Sequence, residues 1–182
     1  AGGRRGGVLV AVRARFDAAL RSGAGLVSLA TRPRHVGAAL ARWPEVMVHG
    51  IDEGEGLGPL LRQASVIVLG PGLGRDAWAT RLYRQVMEAD RPLVVDADAL
   101  HGLAADPQRR DNWVLTPHPG EAAALLGLCT AEIASDRFAS VEALQRRYGG
   151  SVVLKGAGSL IASDGPGPLA LCSAGNPGMA SG

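Results

Sequence analysis

The stretch LTPHPGEAAALLG, Leu115–Gly127, sets one histidine between two prolines, ahead of a run of alanine and leucine. Each proline locks its own φ and pushes the residue before it toward extended geometry, so Thr116 and His118 are both held out of the helix. Pro119 suits the first helical position, and the carboxylate of Glu121 suits the positive end of the helix dipole. The preceding WVLT, Trp113–Thr116, reads as a short buried strand. His118 is therefore expected on a strand-to-helix turn. In an open α/β sheet such turns lie at the carboxyl ends of the strands, where ligands gather. A histidine that merely caps the turn is an equal reading of this stretch by itself.

Working outward, short apolar runs alternate with helix-period segments along the chain, the pattern of a mainly parallel sheet covered by helices. VLVAV (Val8–Val12), GLVSLA (Gly25–Ala30), VIVLG (Val66–Gly70), PLVVDA (Pro92–Ala97) and VVLKG (Val152–Gly156) are the further strand candidates. SLIAS (Ser159–Ser163) and LALCS (Leu169–Ser173) follow too closely to admit a helix, so with DGPGP between them they read as an antiparallel hairpin. Helices are expected at Asp76–Glu88, Gly120–Leu126 and Phe138–Tyr148, the last with Phe138, Val141, Leu144 and Tyr148 on one face. EGEGLG (Glu53–Gly58) reads as a surface loop. The reading is one α/β domain over residues 1–182, ending in an antiparallel hairpin.

Composition bounds the function. With 182 residues, 47% hydrophobic and 20% charged, the chain suits one globular domain, and with 4% aromatics its core must be built from Ala, Val, Leu and Gly. The net charge of +2 comes from scattered arginines and not from a basic block, which argues against nucleic acid as a partner. No apolar run approaches the ~20 residues of a membrane span. Cys129 and Cys172 lie far apart without metal-ligand spacing, as expected of reduced thiols in a cytoplasmic protein. The opening AGGRRGG has no apolar leader core, and both ends of the sequence read as cuts.

The unusual residues collect at strand ends. VIVLGPGLG leaves a strand into Gly-Pro-Gly-Leu-Gly, where Gly72 and Gly74 permit positive φ and close approach to a ligand. VVDADAL puts Asp96 and Asp98 at another strand end, where they suit a water, a hydroxyl or magnesium; an N-cap role is the favoured reading of Asp98. The nineteen basic residues include a single lysine, Lys155, which leaves a core strand into Gly156, Ala157, Gly158 and Ser159. A point charge beside free backbone N–H groups favours phosphate binding over a lysine snorkelling at a hairpin edge.

In this order, GAGLVSLAT, GPGLG, VVDADAL, LTPHPGEAAALLG, VVLKGAGSLIA and GNPGMASG resemble the ADP/ATP-dependent NAD(P)H-hydrate dehydratases, from about Gly23 to Gly182. The resemblance implies a ribokinase-like fold, with helices on both sheet faces, and the nucleotide-dependent removal of water from the S epimer of hydrated NADH or NADPH. ADP or ATP would be the co-substrate, with Mg2+. The family match places Lys155, Gly156, Ala157, Gly158 and Ser159 on the nucleotide phosphates, Gly72 and His118 on the hydrated dinucleotide, and Asn176 at the start of an anion-binding turn. A homo-oligomer, perhaps a tetramer, and a fused N-terminal epimerase domain belong to the same expectation.

Two departures from the family pattern stand out. The family continues SG into Gly-Thr-Gly-Asp, whose aspartate is the general base, whereas this sequence stops at Gly182, so the catalytic residue is unknown and the chain by itself is expected to be inactive. The segment after VLVAV is also shorter than the family's, and no residue is assigned there. Two further readings remain: a ribokinase-like kinase of a vitamin precursor, which HPGEAAALLG disfavours, and a non-catalytic nucleotide-binding module.

Overall fold

The computed structural model describes residues 7–11, 16–52, 55–165 and 167–174. They fall into two compact units that divide after Gly102.

In the first unit, β1 (Gly7–Ala11), β2 (Leu26–Thr31), β3 (Met47–Gly50), β4 (Ala64–Leu69) and β5 (Leu93–Val95) form parallel pairs in the order β3-β2-β1-β4-β5. The crossovers carry α1 (Phe16–Arg21), α2 (Val36–Arg42), α3 (Leu57–Gln63) and α4 (Ala77–Glu88); α5 (Asp98–Ala105) follows β5. The sheet lies open to helices on its faces, so its strands are apolar rather than strictly alternating: Val27, Leu29, Ile67, Leu69, Leu93 and Val95 are all buried. α4 covers β4 and packs on α3, burying Trp78, Ala79, Leu82 and Val86 at the helical spacing of three and four. Asp76 starts α4 as its N-cap, accepting from the Ala79 amide at 3.1 Å.

In the second unit, β6 (Trp113–Leu115) pairs parallel with β7 (Ser151–Leu154), and β8 (Ser159–Ala162) and β9 (Ala170–Cys172) continue antiparallel. The antiparallel ending therefore matches the expectation from the closely spaced SLIAS and LALCS runs. Three helices precede β7: α6 (Pro119–Leu126), α7 (Thr130–Ser135) and α8 (Arg137–Tyr148), with α8 packed on β7 and β8. Tyr148 is the pin of this unit. It is fully buried and its hydroxyl donates to the Leu125 carbonyl at 2.7 Å. Its own carbonyl accepts from the Trp113 indole and from the Arg110 amide.

Three expectations need correction. Phe138 does not join the buried face of α8 but remains 57% exposed. Burial begins a turn later, at Ser140 and Val141, because the first turn is engaged with the loop after β7. EGEGLG is not all loop: α3 begins at Leu57, which is completely buried and draws the segment inward. β3 was not among the expected strands. Its four residues MVHG show no strong alternation, and pairing with β2 makes it a strand. Val12, Asn176 and the rest of GNPGMASG lie outside the described residues.

Candidate functional site

In the first unit, β4 ends at Leu69 and the chain turns through Gly70, Gly72 and Gly74, with φ of 129°, 70° and 81°. Gly72 and Gly74 are exposed at the tip, while Leu73 between them is buried and anchors the turn. The Leu73 amide donates to the Gly70 carbonyl at 2.9 Å, and the Gly74 amide donates to Asp98 Oδ2 at 2.9 Å. Asp98 is thus not an N-cap: α5 already starts at Asp98, and its carboxylate crosses to brace the glycine turn. Arg75 Nε stands 3.6 Å from the other oxygen of Asp98. Ala97, between the two aspartates, sits in the left-handed region at φ 50°, a strain of about 1–2 kcal/mol for a residue with a Cβ.

The far side of this turn is fixed by a second cluster. Arg32, just beyond β2, makes two hydrogen bonds to Asp76 at 2.8 and 2.7 Å and lies 4.2 Å over the Trp78 ring. The Arg32 hydrogen bonds, followed by the Ala79 amide, hold the Asp76 carboxyl below the ordinary carboxylate range. The Trp78 indole donates to the Ile51 carbonyl at 2.8 Å, which ties the start of α4 to the exit of β3.

In the second unit, the turn after β6 carries His118 as the N-cap of α6. Its Nδ1 accepts from the Gly120 and Glu121 amides at 3.0 and 3.3 Å, and Glu121 Oε2 accepts from the His118 amide at 2.7 Å. This is a reciprocal capping box with imidazole in place of a hydroxyl. An accepting Nδ1 leaves Nε2 to carry the proton of a neutral ring. The side chain is 55% exposed, so the ring caps the helix while keeping an edge toward solvent.

Glu121 joins this turn to the next. Its side chain is only 6% exposed, with Oε1 lying 3.4 Å from His118 Nε2 and Oε2 lying 3.8 Å from Lys155 Nζ. The Lys155 amide also donates to the Pro117 carbonyl at 2.8 Å. His118 and Lys155, chosen separately from the sequence, are therefore brought onto one buried carboxylate. By sequence Glu121 suits only the helix dipole; the spacing of His118 to Glu121, N-cap to third helical residue, is the signal for its wider role. Beyond Lys155 the chain passes through Gly156, Ala157 and Gly158, with Gly158 at φ 73°, and re-enters the sheet at Ser159. Gly72 belongs to the first unit and has the surroundings described above.

A sequence profile described as NAD(P)H-hydrate dehydratase matches residues 9–182. The chain belongs to this family. Among dehydratase-family relatives, it is 49% identical over 172 residues to the bifunctional NAD(P)H-hydrate repair enzyme Nnr of Coxiella burnetii, covering 94% of this chain and 35% of that protein. It is 40% identical over 135 residues to an ADP-dependent (S)-NAD(P)H-hydrate dehydratase of Neisseria meningitidis, covering 69% and 44%. A ribokinase-like superfamily protein from Enterococcus faecalis superposes with a TM-score of 0.86 at 30% identity, covering 98% of this chain and 66% of that one. The chain spans about a third of the length of the bifunctional relatives it matches. Its fold is that of the ribokinase-like superfamily, and the expectation from the motif order is met.

Within this dehydratase-family chain, the cap and ligand readings of His118 are separable. His118→Asn keeps a side-chain acceptor for the α6 amides, whereas His118→Ala removes it at a cost of about 1 kcal/mol. Thermal unfolding should therefore spare the Asn variant and lower the Ala variant. If the ring also touches the hydrated dinucleotide, both variants raise its KM while leaving nucleotide affinity unchanged. An unaltered KM in both would leave His118 as a cap alone.

Proposed function

We propose that the protein containing this chain dehydrates the S epimer of hydrated NADH or NADPH at the expense of ADP or ATP, restoring the reduced cofactor. The observation that carries the reading is the placement of Lys155 and its glycine loop beside the His118 turn, through Glu121, in a chain of the NAD(P)H-hydrate dehydratase family. The name of the Neisseria relative supports ADP dependence.

The chemistry asks for charge neutralisation and positioning. Hydroxide is a poor leaving group. A phosphoryl group passed to the ring hydroxyl, with the nucleotide one phosphate shorter, makes it a good one. The enamine nitrogen then supplies the electron pair that expels inorganic phosphate, and the iminium ion loses a proton from the adjacent ring carbon to restore the dihydropyridine. Phosphoryl transfer is governed by electrostatics and alignment more than by covalent chemistry from the protein. In this reading Lys155 and the amides of Gly156, Ala157, Gly158 and Ser159 hold the nucleotide phosphates, and His118 contacts the dinucleotide. Gly72 is given the same dinucleotide role on the family resemblance. Among the described residues no group of three or more His, Cys, Asp or Glu is placed to hold a metal ion.

A cytoplasmic homo-oligomer, with an epimerase domain in the same polypeptide, completes the proposal; the word bifunctional in the relatives' names supports the fused activity. Among the described residues no helix is long and apolar enough to cross a membrane. The competing reading is a vitamin-precursor kinase on the same fold. Incubating the full-length protein with ADP or ATP and either hydrated NADH or hydroxyethylthiazole separates the two. Consumption of the hydrate alone is expected, and a phosphorylated thiazole would favour the kinase.

A further inference from the structure

The loop Lys155–Ser159 is gripped by one side chain from another element. Arg137, the first residue of α8, donates from Nη1 to the Ala157 carbonyl at 3.0 Å, and from Nη2 to the Gly158 carbonyl at 2.7 Å and the Leu154 carbonyl at 3.4 Å. One guanidinium thus gathers three carbonyls of the strand end and loop. A trans peptide points the N–H of each residue opposite to the carbonyl before it. With the Ala157 and Gly158 carbonyls turned onto Arg137, the Gly158 and Ser159 amides point away from it. The peptide before Lys155 obeys the same rule: the Leu154 carbonyl faces Arg137, and the Lys155 amide donates the other way, to Pro117.

Two more observations say that this arrangement is built. A cation at the N-terminus of a helix opposes the helix dipole, so the first turn of α8 is an unfavourable place for an arginine. Asp136, the N-cap, accepts from the Ala139 amide at 2.9 Å and puts a negative charge in that turn. Gly156 also leaves room for the guanidinium, since a Cβ there would stand 2.8 Å from Arg137 Nη2.

We propose that Arg137 is a positioning residue for nucleotide binding: by collecting the loop carbonyls on one side, it presents the loop amides on the other as a preformed anion cradle beside Lys155. The inference rests on the nucleotide-phosphate reading of the Lys155 loop. Arg137 itself need not touch the ligand. Its guanidinium does in the free protein what the phosphate would otherwise have to do, which is to fix the peptide planes before binding.

The test uses the full-length protein, with ADP titrated by calorimetry into wild type, Arg137→Ala and Arg137→Lys. Arg137→Ala is expected to raise the ADP Kd about tenfold or more, the scale of charged hydrogen bonds, with the KM for hydrated NADH within about twofold of wild type. Low-millimolar guanidinium should restore part of the affinity of the Ala variant, and Lys, with its compact charge, should fall between the two. Wild-type affinity in a folded Ala variant would overturn the inference, as would equal losses for ADP and the hydrated dinucleotide. Should the Ala variant not fold, the Lys variant decides by the same Kd criterion. Failure of wild type itself to bind ADP would instead contradict the reading of the Lys155 loop.

Discussion

Gly70→Ala is expected to unfold the protein or to bring its urea midpoint far below that of wild type. Gly70 closes β4 at φ 129°, and an added Cβ would fall 1.6 Å from the Asp96 carbonyl oxygen and 2.7 Å from its carbon. Both are backbone atoms, and the Ala99 Cβ stands 3.1 Å away behind them. No rotamer relieves such an overlap. The exits of β4 and β5 would have to separate, breaking the 3.0 Å bond from the Asp96 amide to the Leu69 carbonyl. The cost is more than about 4 kcal/mol, which belongs to the diagnostic tail of single substitutions and is a large part of a typical net stability of about 5–15 kcal/mol. Gly72→Ala is the control. It also carries a positive φ, but it sits exposed at the tip, and its backbone term is about 1–2 kcal/mol. Equal midpoints for the Gly70 and Gly72 variants would show that the Gly70–Asp96 approach is not a constraint.

Lys155→Ala should raise the Kd for ADP or ATP by roughly tenfold to 150-fold, the equivalent of about 1.5–3 kcal/mol for a hydrogen bond to a charged group. The fold should survive. Lys155 is 40% exposed and its Nζ lies 3.8 Å from Glu121, so the ion pair itself contributes at most about 1 kcal/mol after solvent screening. Glu121 keeps the His118 amide as a donor at 2.7 Å, and α6 keeps its cap. Calorimetry and thermal unfolding on the same variant separate these effects. A lowered melting temperature with unchanged nucleotide affinity would make Lys155 a structural partner of Glu121.

The parts legible in the sequence are those whose causes are local. Pro117 and Pro119 fix the turn at His118 whatever surrounds it, and the short spacing between SLIAS and LALCS leaves only a hairpin. Gly72 and Gly74 are legible as turn glycines, whereas Gly70 reads only as the end of a strand; the reason Gly70 must be glycine is the Asp96 carbonyl, brought to it by the pairing of β4 with β5. Asp98 read as a cap because a carboxylate before a helix commonly is one; the Gly74 amide that claims it comes from another strand exit. Arg137 is the clearest case of what local reading misses. Nothing in SDRFAS marks its arginine, since all three of its acceptors lie on β7 and the loop behind it. Phe138 fails for a related reason: helical spacing places it with Val141 and Leu144, but the first turn of α8 is committed to that loop.

In the proposed function, water loss from the hydrated cofactor is coupled to nucleotide cleavage at the Lys155 loop. The most direct measurement follows inorganic phosphate and reduced-nicotinamide absorbance together, in the full-length protein given hydrated NADH and ADP. Both should appear in equal amounts, neither without nucleotide, and both should slow together in Lys155→Ala. NADH regenerated without phosphate release, or phosphate released without NADH, would contradict it.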